Sequence, residues 1–370
     1  MTTSPVFVQD RLTLHSVVTR GVRVPLTFAL GTSAAIVRAV PLLLVDLATE
    51  DGPVGRTYLF CYTPSGARAI AAHIHEAVDL VRGQPATPIA QSQFLQRRFA
   101  LLGVTGTVRM ALSAIDMAMW DALSRGFGRT LSGLLGGDPR PLPAYDSRGL
   151  GLMEPTALAD EAEKLVAGGL RAVKLRLGYA TLAEDLSALE SVRRRVGPAI
   201  SVMVDYNQAL SPAEALKRGD ALDAHDIIWL EEPIAHDDYR SYAHLAATLK
   251  TPIQIGENFN GPADLSRALA ARACDYVMPD VARIGGVTGW MQAAGLAAAA
   301  DIEISSHLMP EISAHLLCAS PRAHWLEYVD WADGFLEEPM RIIDGMAIPS
   351  TQPGAGLVWN EDRLRHLETL

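Results

Sequence analysis

The sequence predicts an α/β fold, a parallel (β/α)8 barrel that carries a separate α+β domain. Two observations predict it. From Pro141 onward, eight short apolar runs each end in a polar or charged residue, and helical patterns fill the gaps between them. Residues 1–138 lack that period and read as strands followed by helices. A chain of 370 residues has room for both parts.

The N-terminal part comes first. In "VPLLLVDLATEDGPVGRTYLF" two apolar runs flank Glu50, Asp51, Gly52 and Pro53, a turn between paired strands. Helices follow, among them "GTVRMALSAIDMAMWDALSRGFG", long and amphipathic by pattern. These elements predict an α+β domain over residues 1–138.

The barrel is expected over residues 139–332. Its strands are "LPAYDS" ending at Ser147, "RAVKLRL" with Lys174 and Arg176, "ISVMVDYN" with Asp205, and "IIWLEEP" with Glu231. Then come "PIQIGEN" with Glu257, "YVMPD" with Asp280, "IEISSHL" with His307, and "HWLEY" with Glu327. By subtraction, the steps from Asp205 through to Glu327 are 26, 26, 23, 27 and 20 residues. A strand, a loop, a helix of three or four turns and a return loop occupy about that many. In "SPAEALKRGDALDAHD", Ser211 reads as an N-cap, with Pro212 at the first helical position and Glu214 three after the cap. "GPADLSRALAARA" and "GWMQAAGLAAAAD" are alanine- and leucine-rich helices. Residues 333–370 hold turn-rich strands off the barrel period and are expected to return to the N-terminal domain.

Active sites in such barrels lie at the carboxyl ends of the strands. Asp205, Glu231 and Glu257 end three consecutive strands and should converge. Carboxylates that close repel unless a cation lies between them. An all-oxygen set without Cys or His favours a hard ion, and Mg2+ fits. Lys174 and Arg176, two apart on one strand, face the same way. His307 ends the seventh strand beside Asp280, which can hold one imidazole nitrogen and fix the tautomer. Glu327, near so much negative charge, is expected to stay protonated and donate a hydrogen bond. Such a set suits removal of a weakly acidic proton next to a carboxylate. His73, His75, His225 and His315 read as surface or core residues. "RIGGVTGW", Arg283 to Trp290, reads as a turn into a helix rather than a phosphate loop.

Acidic residues number 42 against 32 basic ones, which argues against a nucleic-acid surface. Cys61, Cys274 and Cys318 form no Cys-x-x-Cys pair, so reduced thiols in a cytoplasmic protein are expected. The N-terminal stretch does not read as a signal peptide, and the apolar run from Val40 to Val45 is too short to span a bilayer.

These residues resemble the enolase superfamily, and within it the mandelate racemase subgroup. The resemblance rests on "VPLTFALGTSA", "TYLFCYTP", "RMALSAIDMAMWDAL", "YDS", "VKLRLGY", "MVDYNQ", "WLEEP", "GEN", "MPDVARIGGVTGW", "SSHLMPEISAHLL" and "AHWLE", in that order. It implies a capping α+β domain on a modified (β/α)7β TIM barrel, in place of (β/α)8. It implies Mg2+ on Asp205, Glu231 and Glu257, and His307 paired with Asp280 as base. Glu327 would be the acid on the substrate carboxylate, Lys174 would neutralise that carboxylate, and Ser147 and Asn207 would touch it or a metal-bound hydroxyl. Tyr58 would join a lid at about residues 28–38, with Leu30 and Val37 on its apolar loop. A homo-oligomer is implied, an octamer by family analogy, acting on a small carboxylate substrate.

Arg176 departs from the pattern, which has lysine there as the base for the S enantiomer. A guanidinium reads either as a weak base beside Lys174 or as an electrostatic clamp that leaves His307 alone. Racemisation or epimerisation of a 2-hydroxy carboxylate with an apolar or aromatic substituent is the leading expectation. The alternative is an acid-sugar dehydratase, with His307 as single base and acid.

Overall fold

The computed structural model describes residues 12–31, 36–50 and 52–370. Residues 32–35 of the expected lid and Asp51 of the expected turn lie outside the described residues.

Strands β1 (Leu14–Gly31) and β2 (Ile36–Thr49) form a long antiparallel ribbon, paired from Leu14 with Thr49 to Gly31 with Ile36. Strand β3 (Gly55–Phe60) pairs with the other edge of β2. Helices α1 (Pro64–Val81), α2 (Pro88–Arg98), α3 (Gly106–Gly126) and α4 (Leu131–Leu134) follow. Thr63 caps α1 by accepting from the Gly66 amide at 2.9 Å, with Pro64 in the first turn.

The long helix differs from its expected pattern. Every residue of α3 from Met110 to Met119 is buried, so it is enclosed rather than amphipathic. Its two buried acids explain how a core helix carries them. The Asp121 carboxylate accepts from the amides of Arg56 and Ala355, both at 2.8 Å, and from Arg125 Nε at 2.5 Å. Buried polar groups persist when each finds a partner.

The barrel then runs β4 (Leu142–Asp146), α5 (Pro155–Ala167), β5 (Ala172–Arg176), α6 (Leu182–Val196), β6 (Ser201–Asp205) and α7 (Pro212–Leu222). It continues β7 (Leu230–Glu231), α8 (Tyr239–Thr248), β8 (Ile253–Ile255), α9 (Pro262–Ala271) and β9 (Tyr276–Val277). The last part is α10 (Val281–Ile284), α11 (Gly286–Ala299), β10 (Glu303–Ile304), α12 (Pro310–Cys318) and β11 (Leu326–Tyr328). Strands β4 to β10 pair in chain order and in parallel, and β11 pairs with β4. The Ile304 amide donates to the Arg322 carbonyl and the His324 amide to the Ile304 carbonyl, both at 2.8 Å, which closes the ring. Eight strands with helices in seven connections make the (β/α)7β barrel that the resemblance implied.

After β11 the hairpin β12 (Arg341–Ile343) and β13 (Met346–Ile348) pairs antiparallel with the first residues of β4, with Ala347 opposite Leu142. The chain then crosses α13 (Glu361–Leu364) to β14 (Glu368–Thr369), which pairs with β1. The C-terminal segment thus joins the barrel before it reaches the N-terminal sheet.

Helix α3 is the main tie between the two parts. Asp116 accepts from the Thr288 amide at 2.9 Å and its hydroxyl at 2.5 Å, at the start of α11. Trp120 Nε1 donates to the same hydroxyl at 3.0 Å. Gly286 has φ of +71° and no room for a Cβ against Asp116. The glycines of "RIGGVTGW" therefore serve a tight turn under α3. Among the described residues no helix is long and apolar enough to cross a membrane.

Candidate active site

The carboxyl ends of the barrel strands bring the polar residues together. Non-glycine residues held at positive φ cluster at the same mouth: Asn207 at 43°, Glu232 at 34°, Leu308 at 51° and Met309 at 47°. Such conformations cost energy and persist where surrounding structure enforces them.

Asp205, Glu231 and Glu257 end β6, β7 and the turn after β8. One carboxylate oxygen from each lies within 4.8 Å of the others. Burial, with Asp205, Glu257 and Glu327 nearby, pushes Glu231 up to about 8, although Lys174 opposes this. Glu232 is fully buried beside it and is held well above the usual range by burial and the same carboxylates. The donor set is hard, crowded and negative, and it fits a divalent cation. Asn207 lends its amide nitrogen and side chain to Asp205, at 2.7 and 3.0 Å. Its donors thus orient a cluster carboxylate.

Lys174 has 1% exposure, and its Nζ lies 2.7 Å from Glu231, 2.8 Å from Glu327 and 3.4 Å from Asp205. Burial pulls the ammonium down, but Glu231 and Glu327 outweigh it and hold it well above its ordinary value. The expectation for Glu327 needs correction. Despite burial, Lys174 and His307 pull it down to about 2, so it is ionised. It also accepts from the Leu308 amide at 2.7 Å. Nearby cations, not nearby acids, decide its state.

His307 Nδ1 lies 2.7 Å from Asp280 Oδ2, so Nδ1 carries the hydrogen and Nε2 points at the cluster. Asp280 is fixed in turn, accepting from the amides of Ala282 and Arg283 at 2.7 and 3.1 Å. His307 Nε2 is 3.3 Å from Glu257. Burial lowers the imidazole, but Glu257, Glu327 and Asp280 outweigh it and raise it to about 9. Glu257 is the largest of these, so a cation bound there loosens the hold on that proton.

Arg176 lies on the other flank. Its guanidinium donates to the Gly149 carbonyl at 2.7 Å, the Ser147 carbonyl at 3.2 Å and the Ser147 hydroxyl at 3.0 Å. All three acceptors are neutral, and among the described residues Nε is buried without a partner.

Tyr58 is not where the resemblance set it. It is 1% exposed, and its hydroxyl donates to Glu311 at 2.6 Å, inside the packing of β3. Tyr62, beyond the strand end, is 44% exposed and lies over the Arg283 guanidinium at 4.7 Å. Tyr62 lies past the end of β3 at a φ of 62°, so the chain has turned before it and strand alternation does not set where it points. Arg283 in turn holds Asn258, whose Nδ2 donates to Glu232 at 2.7 Å and Glu257 at 3.2 Å. None of these three was expected at the site, because single Tyr, Arg and Asn residues carry no motif.

Leu30 and Val37 pair across the ribbon end, and both are half-buried. The ribbon is anchored to the barrel, since Leu152 donates its amide to the Gly31 carbonyl at 3.1 Å. At its base Thr27 donates to Asp330 at 3.1 Å, and Asp330 accepts from Arg148 at 3.1 Å. His315 proves a core residue, its Nδ1 3.1 Å from the Ser132 hydroxyl.

Residues 157–363 match the family described as enolase C-terminal domain-like. Residues 13–136 match the N-terminal domain of the mandelate racemase / muconate lactonizing enzyme family. The chain belongs to the enolase superfamily. Among its superfamily relatives, the L-talarate/galactarate dehydratase of Salmonella typhimurium is 30% identical over 88% of this chain and 82% of that protein. A solved enolase from the alpha proteobacterium BAL199 with bound Mg is 41% identical, covering 97% of this chain and 100% of that one, with a TM-score of 0.94. Another from Bradyrhizobium, complexed with magnesium and mandelic acid, is 37% identical over 98% and 99% of the two chains, with a TM-score of 0.92. The superfamily is Mg2+-dependent, and its members here include dehydratases, cycloisomerases and racemases.

Proposed function

We propose that this chain removes the α-proton of a 2-hydroxy carboxylate with His307 as its only base, then expels a hydroxyl from the neighbouring carbon. The observation that carries this is the bonding of Arg176. A guanidinium has no acceptor atom, and this one already donates to three neutral oxygens. A base must present a lone pair to the substrate, and Arg176 is held as a cation facing it instead.

In this reading Asp205, Glu231 and Glu257 would hold Mg2+, which when bound would supply positive charge against the substrate carboxylate. Lys174 and Arg176 add cations on one side, with Ser147 and Asn207 orienting Arg176 and Asp205. Ionised Glu327 positions Lys174. On the other side the C–H bond breaks toward His307 Nε2. The C–O bond of the next carbon then breaks, that proton returns to the departing oxygen as water, and the remaining enol becomes a 2-keto acid.

Racemisation is the second reading. It is favoured by the apolar Leu30 and Val37 on the ribbon and by the relative complexed with mandelic acid. Proton NMR in D2O with Mg2+ separates the two. The first reading expects exchange of the α-proton in one configuration only, and 2-keto products from 2,3-dihydroxy acids. Interconversion of both mandelate enantiomers would overturn it and establish a second base.

A further inference from the structure

We propose that a cavity between helix α12 and the C-terminal hairpin is a second binding site, and that it takes a small aliphatic ammonium ion. It is separate from the catalytic mouth, since none of Asp205, Glu231, Glu257, Asp280, His307 and Glu327 is among its walls.

The cavity has a volume of about 500 Å3, and its walls include Glu311, Glu338, Met340, Arg341, Ile348 and Ser350. A volume of several hundred cubic ångströms accommodates a small organic molecule. Glu311, in the first turn of α12, is 7% exposed. Its Oε2 accepts from the Tyr58 hydroxyl at 2.6 Å. Among the described residues its Oε1 is buried without a hydrogen-bond partner. A buried carboxyl oxygen in that state costs free energy, and a donor entering the cavity would recover it.

Local charge selects the kind of donor. Burial pushes Glu311 up to about 7, the Tyr58 hydroxyl opposes this, and Asp333 adds to it. No cation is among these influences. Asp333 is itself pushed up to about 6 by burial, and its Oδ1 is likewise buried without a partner among the described residues. At the rim, Glu338 and Arg341 are both exposed and offset one another. The buried acids therefore leave this region negative, and its complement is a cation. Among the described residues the acids here form no group spaced for a metal ion; that group is Asp205, Glu231 and Glu257. An organic ammonium fits instead, because one N–H reaches Oε1 while Met340 and Ile348 cover a short carbon chain.

The test is calorimetry on the Mg2+-loaded protein with butylammonium and with butanol, which has the same chain and no charge. At pH 8 the ammonium is expected to bind at least about tenfold more tightly than the alcohol, as a charge-assisted hydrogen bond implies. Its binding should weaken by about tenfold from pH 8 to pH 6, because Glu311 takes up a proton through about 7 while the amine stays charged. The Met340 methyl resonance should shift during the titration. Glu311→Gln keeps an oxygen for the Tyr58 hydroxyl and should lose both the preference and its pH dependence. On wild-type protein, equal affinity for amine and alcohol, no saturation by about 10 mM amine, or an unmoved Met340 methyl would each overturn the inference. So would Glu311→Gln binding the amine as tightly as wild type, since the site would then lie elsewhere.

Discussion

Replacing Lys174 by methionine tests whether the ammonium and the metal share the same oxygens. The side chain keeps its length and loses its charge, leaving Glu231, Glu327 and Asp205 without the cation now 2.7, 2.8 and 3.4 Å away. Removing one partner of a buried ion pair costs about 3–5 kcal/mol. For 370 residues, an unfolding entropy of about 2.1 cal/mol/K per residue gives about 0.8 kcal/mol/K, so Tm should fall by about 4–6 °C in EDTA. Two of the three stranded carboxylates belong to the cluster proposed to hold Mg2+. Saturating Mg2+ should therefore recover more than half of the loss, and by linkage Lys174→Met should bind Mg2+ more tightly than wild type. Thermal unfolding by circular dichroism with EDTA and with Mg2+ reads both. An equal Tm loss in the two conditions would refute the reasoning, because the metal would then lie elsewhere.

Two further outcomes follow from the same contacts. Burial raises Asp116 from 3.8 to about 7, against hydrogen bonds from Thr288 that lower it. The native state thus keeps a proton that the unfolded chain has lost, so this group costs stability as pH rises from about 4 to about 7, at most about 4 kcal/mol in total. Asp116→Asn should remove that slope and gain on wild type between pH 5 and pH 8 in urea unfolding, and a pH-independent difference would count against it. Tyr62→Leu should weaken Mg2+ binding by about 2- to 30-fold through loss of the cation–π contact that holds Arg283 and Asn258 against Glu257, while Tyr62→Phe stays near wild type in calorimetry. Equal affinity in all three proteins would dismiss that chain of contacts.

Strand ends announced themselves because a charged residue closing an apolar run is costly unless something at the barrel mouth uses it. Asp205, Glu231, Glu257, Asp280, His307 and Glu327 were legible in this way, as was the N-cap Ser211, which accepts from Glu214 at 3.3 Å. The period of the runs also carried the barrel, and the N-terminal strand pair followed from its turn. Helix α3 was misread as amphipathic because its sequence records which residues are polar. Whether a second layer covers them is another matter, and Asp116 and Asp121 look like surface acids until Thr288 and Ala355 meet them.

Residue type and spacing determined by themselves which side chains end the strands, since alternation and helix length are local properties. Charge state was not local. Glu327 ionises because Lys174, from another strand, stands 2.8 Å away. Tyr62 rather than Tyr58 packs on Arg283, and Arg109 meets the same cavity as Arg283 from the other domain. These depend on which distant segments share a few ångströms, and electrostatic and packing energies act across that distance, not along the chain.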